Sequence, residues 1–359
     1  MAIEVLAKAP WYSTPRLWLA LGEVRRYPII PMFIILFVLM IPAAFAELIA
    51  PHSPTAGNLK ERLLPPVWVG EQTLVKTVVE RITGPDRASQ ITLNQVNTQV
   101  QIGRARLIGA DGADLGREVV VGDRVEIVTK PGGKGTFLLG TDKLGRDILS
   151  RIIYGSRVSI IVASIAIFVA GIVGTALGVT AGYFGGWVDA VIMRLVDISL
   201  SIPIILMALV LVSALGASFK TIIAVLIIFL WAQYARQSRG ETLTVRVQDF
   251  VARARVSGVS DMRIMLKHIF PNVFNSLVVL ATLQVGFVII LESTLSFLGA
   301  GIPRPTPAWG LMVADGRELI VAAWWVALFP GMAILLVVMS MNLLGDWLRD
   351  RLDPKQRQA

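Results

Sequence analysis

From Val158 to Phe184 the chain carries no charged side chain. A run of this length, wound as a helix, is about 40 Å long, more than the roughly 30 Å hydrocarbon core of a bilayer, so it spans with tilt. In lipid every backbone polar group must be satisfied within the segment, which makes an α-helix the natural state of such a run. Five more apolar segments accompany it: Pro28 to Ala50, Val188 to Leu215, Phe219 to Trp231, Val273 to Leu298 and Val321 to Leu344. With 55% hydrophobic residues, 16% charged ones and a mean hydropathy of +0.68, the chain needs lipid as its solvent. The expected fold is an all-α polytopic membrane protein with six transmembrane helices.

The formal charge of +9 reflects Lys and Arg held on the cytoplasmic side rather than nucleic-acid binding, because no basic stripe is interleaved with aromatics. Segment 1–27 carries Lys8, Arg16, Arg25 and Arg26 and is expected in the cytoplasm, ahead of a first span at 28–50. Ala44-Phe45-Ala46 resembles a signal-peptidase site, but the long basic region and the long apolar run favour an uncleaved anchor. The stretch 233–272 has seven Lys or Arg against three acids, and the tail 346–359 has four against three. Both are therefore expected in the cytoplasm with the two termini, and the residues between spans one and two outside.

Residues 51–139 form a soluble insert. Between Val67 and Leu139, TLVKTVVERI, ITLNQVNTQVQIGRARLI and GREVVVGDRVEIV alternate partly and are broken by Ala110-Asp111-Gly112 and Gly122-Asp123. This predicts five or six short strands in a small sheet or barrel. A core that small without cysteine invites support from a partner or from the membrane domain; a decorative insert with no partner is the alternative. Residues 140–157 read as an amphipathic segment ahead of the second span, and 158–345 as the transmembrane core.

Small residues recur every four positions in the second span, at Ala166, Ala170, Gly174, Gly178 and Gly182, so another helix can approach that face closely. This helix is expected to be buried in protein rather than lipid. Asp197, Gln284 and Glu292 are polar residues within spans and mark a candidate translocation pathway. The two acids could form a proton relay, or lie in the bundle interior beside Ser199, Ser201 or Ser293.

Stretch 233–272 is unusually long and polar for a membrane connection. Glu241 to Val256 suits a helix, Gly258 breaks it, Ser260 can cap a second short helix, and Pro271 precedes the next span. Arg246, Arg253, Arg255, Arg263 and Lys267 would surround Phe250, Val251, Met262 and Met265 in a compact plug, the alternative being an amphipathic hairpin on anionic lipid. No G-x-x-x-x-G-K-[ST] loop, HExxH or GxSxG occurs, and the histidines are His52 and His268 alone. Enzymatic activity has no support in these motifs.

DFVARARVSGVSDMRIMLKHIFPN resembles the EAA loop of ABC-type importer permeases. Together with GTDKLGRDILSRIIYGSRVS, AGYFGGWVDAVIMRLVD, ESTLSFLGAGIPRPTPAWGLM and NLLGDWLRDRLDP, in that order, it is similar to the second permease subunit of the dipeptide, oligopeptide and nickel importers. The resemblance implies a six-span type I ABC importer permease, paired with a homologous permease and two cytoplasmic ATPases, and fed by an extracytoplasmic binding protein. It implies no cofactor in this chain, ATP and Mg belonging to the partner subunits. Coupling to the ATPase falls, by resemblance, on Asp249, Phe250, Ala252, Arg253, Arg255, Gly258, Arg263, His268 and Pro271. The Glu-Ala-Ala triplet of the family is here Ala252, Arg253 and Ala254, so the acid is missing and Asp249 or Glu241 would have to substitute. Peptides are the expected cargo, with nickel or oligosaccharides as alternatives, and a proton-coupled secondary transporter using Asp197 and Glu292 as the rival class.

Overall fold

The computed structural model describes residues 28–82, 87–101, 105–107 and 119–352; the expectations for 1–27 and for the end of the tail lie outside them. In chain order the elements are α1 (Ile29–Ile49), β1 (Gln72–Val79), β2 (Gln90–Thr92), α2 (Leu93–Gln101), β3 (Ala105–Leu107) and β4 (Arg124–Lys130). Then follow α3 (Ile148–Phe184), α4 (Gly186–Ser201), α5 (Ile204–Leu215), α6 (Phe219–Val245) and α7 (Asp249–Val256). The chain closes with α8 (Asp261–Phe297), α9 (Trp309–Gly316) and α10 (Trp325–Leu352). Helices α1, α3, α6, α8 and α10 are each long and apolar enough to cross a membrane. Contacts divide the chain into two units, one of residues 1–51, 150–318 and 327–359, the other of 52–149 and 319–326.

In the first unit the small-residue face of α3 does meet another helix. Ala166 and Ala170 are fully buried, Gly174 lies against Trp231 and Tyr234, Gly178 against Ala235 and Ser238, and Gly182 against Thr242. Those partners all belong to α6, which is why α6 does not stop at Trp231 as expected: Ala235, Ser238, Thr242 and Val245 continue its buried face. On the other face of α3, Phe168 and Ile172 are 69% and 56% exposed in the single chain.

The third apolar segment is not one continuous helix. α4 and α5 meet at 86°. Pro203 has no N–H to continue the helix and drives Ile202 into extended geometry (φ −85°, ψ 127°), so the helix must end there. The opposite happens at Pro271. It sits inside α8 rather than ahead of it, because a π-helical turn over Met265–Ile269 precedes it. The widened turn and the Asn272 side-chain amide, which donates to the His268 carbonyl at 2.7 Å, accommodate the missing donor.

Between α8 and α10 the Pro- and Gly-rich link contains α9. Trp309 is fully buried, its indole N–H bonded to the Ile152 carbonyl at 2.9 Å, with Gly155 leaving room for the ring. The last span starts at Trp325 and continues to Leu352, taking in residues assigned above to the tail.

The second unit contains a sheet in the order β2-β1-β4-β3. β1 pairs parallel with β2 (Val78 opposite Ile91) and antiparallel with β4 (Lys76 opposite Val125), and β3 pairs antiparallel with β4 (Leu107 opposite Val125). Val78, Ile91, Val96, Ala105, Val125 and Ile127 form its core. Four strands stand among the described residues, where five or six are expected for the whole insert. The middle of ITLNQVNTQVQIGRARLI is helix α2, whose Leu93 and Val96, three apart, face the sheet while the polar residues between them face away. Residues 140–147 fold into a tight turn built on Asp142, whose carboxylate accepts from the Leu144 and Arg146 amides at 2.8 and 3.0 Å and from the Arg146 guanidinium at 2.7 Å. Helix α3 starts directly after it, inside the segment expected to be separate.

Candidate coupling surface

The polar stretch resolves into the end of α6, a break at Arg246–Gln248, α7, a glycine turn and the first turns of α8. The helix expected from Glu241 to Val256 is therefore two. Asp249 opens α7 and Arg253 and Arg255 close it, each charge matched to the nearer end of the helix dipole. Gly258 then adopts φ +74°. Its N–H donates to Arg255 at 3.0 Å and that of Val259 to Ala254 at 3.1 Å, the paired bonds of a Schellman stop. Only glycine takes that backbone conformation without strain. Ser260 occupies the capping position before α8, but its hydroxyl makes no capping bond.

One face of α7 is anchored. Val251 is fully buried, Phe250, Ala254 and Val259 pack beside it on the core of the first unit, and the Phe250 and His268 rings lie 6.4 Å apart. A second anchor was not legible in the sequence. The Tyr183 hydroxyl, at the end of α3, donates to the Asp261 carboxylate at 2.5 Å, and the Arg255 guanidinium lies over the same ring at 5.4 Å. Arg246 closes the set by donating to the free carbonyl of Gly182 at 2.7 Å. Nothing in a linear reading joins Tyr183 to residues more than seventy positions later, although Asp261 could have been singled out as an acid in a first helical turn.

The other face is open. Asp249, Ala252, Arg253, Arg255, Arg263 and Lys267 are exposed, and so are Val247 (74%), Val256 (90%) and Met262 (62%). Val251 and Met265, expected among the apolar residues of the plug, are buried.

The three pathway candidates are not brought together. Asp197 lies on α4, 60% exposed, and pairs with Arg236 of α6 at 2.7 Å, so the expectation of an interior site beside Ser199 or Ser201 does not hold for it. Gln284 is buried and donates its amide to Gln233. Glu292 is 1% exposed and accepts from Ser296, one turn on, at 2.7 Å. Among the described residues no group of three or more potential metal-binding side chains occurs.

Five helices long and apolar enough to cross a membrane, a broken helix pair and an ordered basic segment between two of them make this a multi-pass membrane protein. The chain belongs to the family of binding-protein-dependent transport system inner membrane components, whose family model matches residues 174–358. It is thus a transmembrane permease subunit of an importer.

Among its relatives, the di/tripeptide transport system permease protein DppC of Pseudomonas aeruginosa is 43% identical over 229 residues, covering 64% of this chain and 75% of that protein. The glutathione transport system permease protein GsiD of Pectobacterium atrosepticum is 41% identical over 224 residues, covering 62% and 74%. A solved structure of the MetNI methionine ABC transporter, in inward-facing form, aligns with a TM-score of 0.48 at 16% identity, over 56% of this chain and 96% of that one.

Proposed function

We propose that the chain is the peptide-conducting permease of an ATP-binding-cassette importer and that α7 is the element through which a separate ATPase moves it. The observation that carries this reading is the two-sided character of α7. Its inner face, Phe250, Val251 and Ala254, packs on the core of the first unit, and its outer face offers Arg253, Arg255 and Val256 to a partner, with Met262 exposed at the start of α8. A wedge of this kind converts closure of the ATPases into rigid-body motion of the spans on either side. ATP and Mg are then held by the partner subunits and no catalytic residue is needed here. The full assembly is this chain, a homologous permease, two cytoplasmic ATPases and an extracytoplasmic binding protein, with both termini of this chain in the cytoplasm. Di- or oligopeptides are the cargo, on the strength of relatives named for di/tripeptide and glutathione transport.

Because Ala252 and Arg253 stand where the family's acid and small residue belong, docking rests on the cations and on the shape around Gly258. Reversing Arg253 and Arg255 together to Glu should lower ATPase co-purification or substrate-stimulated ATP turnover at least tenfold. Assembly and turnover at the unaltered level would refute the role given to these cations. We also propose that the β-rich insert contacts the binding protein or covers the outer mouth. Its removal, with the complex intact, should weaken binding-protein affinity or transport; no change in either would sink that assignment.

A further inference from the structure

Helix α4 carries a face that the coupling reading leaves unused. Trp187, Val191, Leu195, Ile198 and Ile202 recur at spacings of three and four, and each is between 41% and 78% exposed. At roughly 100° per residue they share a sector of about 80°. Met193, Val196 and Leu200 point the other way, onto Trp231, Ala232 and Ala235 of α6.

Two ion pairs fix how α4 crosses α6. The Arg239 guanidinium donates to both carboxylate oxygens of Asp189, at 2.9 and 2.6 Å, and Arg236 donates to Asp197 at 2.7 Å. Along α4 the two aspartates are separated by about 12 Å of rise, but their partners on α6 by only about 4.5 Å. α4 is thus held on the C-terminal part of α6, and it is bent 86° from α5, so that with α5 crossing the bilayer α4 lies close to its plane. Counted from Phe219, Arg236 and Arg239 lie about 26 and 30 Å along α6, which is the thickness of the hydrocarbon layer. α4 is therefore attached to α6 about one hydrocarbon thickness away from Phe219. α5, at 12 residues, supplies about 18 Å of the third crossing.

We propose that α4 is an in-plane helix seated at the bilayer–water boundary, with the Trp187-to-Ile202 face in lipid. The occupant follows from the chemistry on either side of the stripe. Trp187, the most exposed of the five, is an aromatic of the kind that anchors at headgroup depth, and Arg194, exposed and adjoining the stripe on the helical wheel, suits a lipid phosphate. The opposite face is already sealed on α6, so the helix is oriented like an amphipathic crossbar between α3 and α5. This inference rests on the membrane fold and is independent of the peptide and ATPase assignments.

The chain has no cysteine, so single labels can be placed without background. V191C, L195C and I198C, each carrying a nitroxide, would be studied in the full chain in its native assembly in phospholipid vesicles. Collision with oxygen and with a water-soluble nickel chelate gives the depth of each label. All three should face lipid at nearly one depth, about 5–10 Å below the phosphates. A membrane-spanning α4 would instead separate positions 191 and 198 by about 10 Å in depth. Labels shielded from both reagents would mean that a second protein covers the face; either result overturns the proposal. If the labelled variants do not assemble, quenching by lipids brominated near the headgroup or in mid-chain, compared between the unaltered protein and W187F, reads the same depth. The fluorescence lost in W187F should be the part quenched most by the shallow bromines; quenching by mid-chain bromines alone, or by neither, would overturn it.

Discussion

Gly178 shows how far one residue sets the approach of two helices. A β-carbon there would collide with the Ala235 carbonyl and the Ser238 hydroxyl, whereas at Gly331, inside α10, it would meet nothing within 4 Å. Gly178→Val should therefore destabilise the protein by about 1–3 kcal/mol through overpacking. Gly331→Ala should shift stability by no more than about 1 kcal/mol, and in the favourable direction if the residue is free of other constraints. Thermal unfolding of the purified variants side by side tests the pair; equal effects would mean that the α3–α6 approach is not limited at this glycine. Tyr183 is the residue a linear reading overlooks, because its value lies in meeting Asp261 and Arg255 across the fold. Tyr183→Phe should reduce coupled ATP turnover while leaving expression intact, and Asp261→Asn added to it should cost little more, since both remove one hydrogen bond.

Among the elements, α3 and α8 were legible because long uncharged runs have only one low-energy state in lipid. Their ends were not. α6 continues past Trp231 because tertiary contact with the glycine face of α3 rewards helix in a segment whose composition reads as a polar loop. The two prolines make the same point from both sides: Pro203 ends α4, whereas Pro271 is absorbed by a π-helical turn within α8, and a proline alone does not say which will occur. In the insert, β1 and β4 follow from alternating β-branched residues, while α2 forms from a segment that alternates almost as well. Val125 is fully buried at the centre of that sheet. Val125→Asp should therefore open the insert to limited proteolysis within residues 67–137, with the membrane helices still protected; unchanged cleavage would mean that the sheet is held by something other than this core.

At the scale of the whole molecule the importer class makes a prediction about energy source. Uptake should be abolished by vanadate and persist in the presence of a protonophore, because Asp197 is tied to Arg236 at the surface of α4 and Glu292 is buried beside Ser296, two separate settings rather than a chain of carriers. Uptake that a protonophore stops while ATP is plentiful would return the proton-coupled reading to first place.

The amino-acid sequence by itself determined that the chain crosses a membrane several times and that a long polar stretch lies between two of the spans. Hydrocarbon length, charge placement and the glycine stop at Gly258 are local properties that need no knowledge of the fold. Tertiary structure alone decided where helices end, which face of α7 is fastened, and that the third apolar segment turns through 86°. Those outcomes depend on contacts between residues far apart in the chain. Tyr183 with Asp261, Asp189 with Arg239 and Gly178 with Ser238 exist only once the helices have packed.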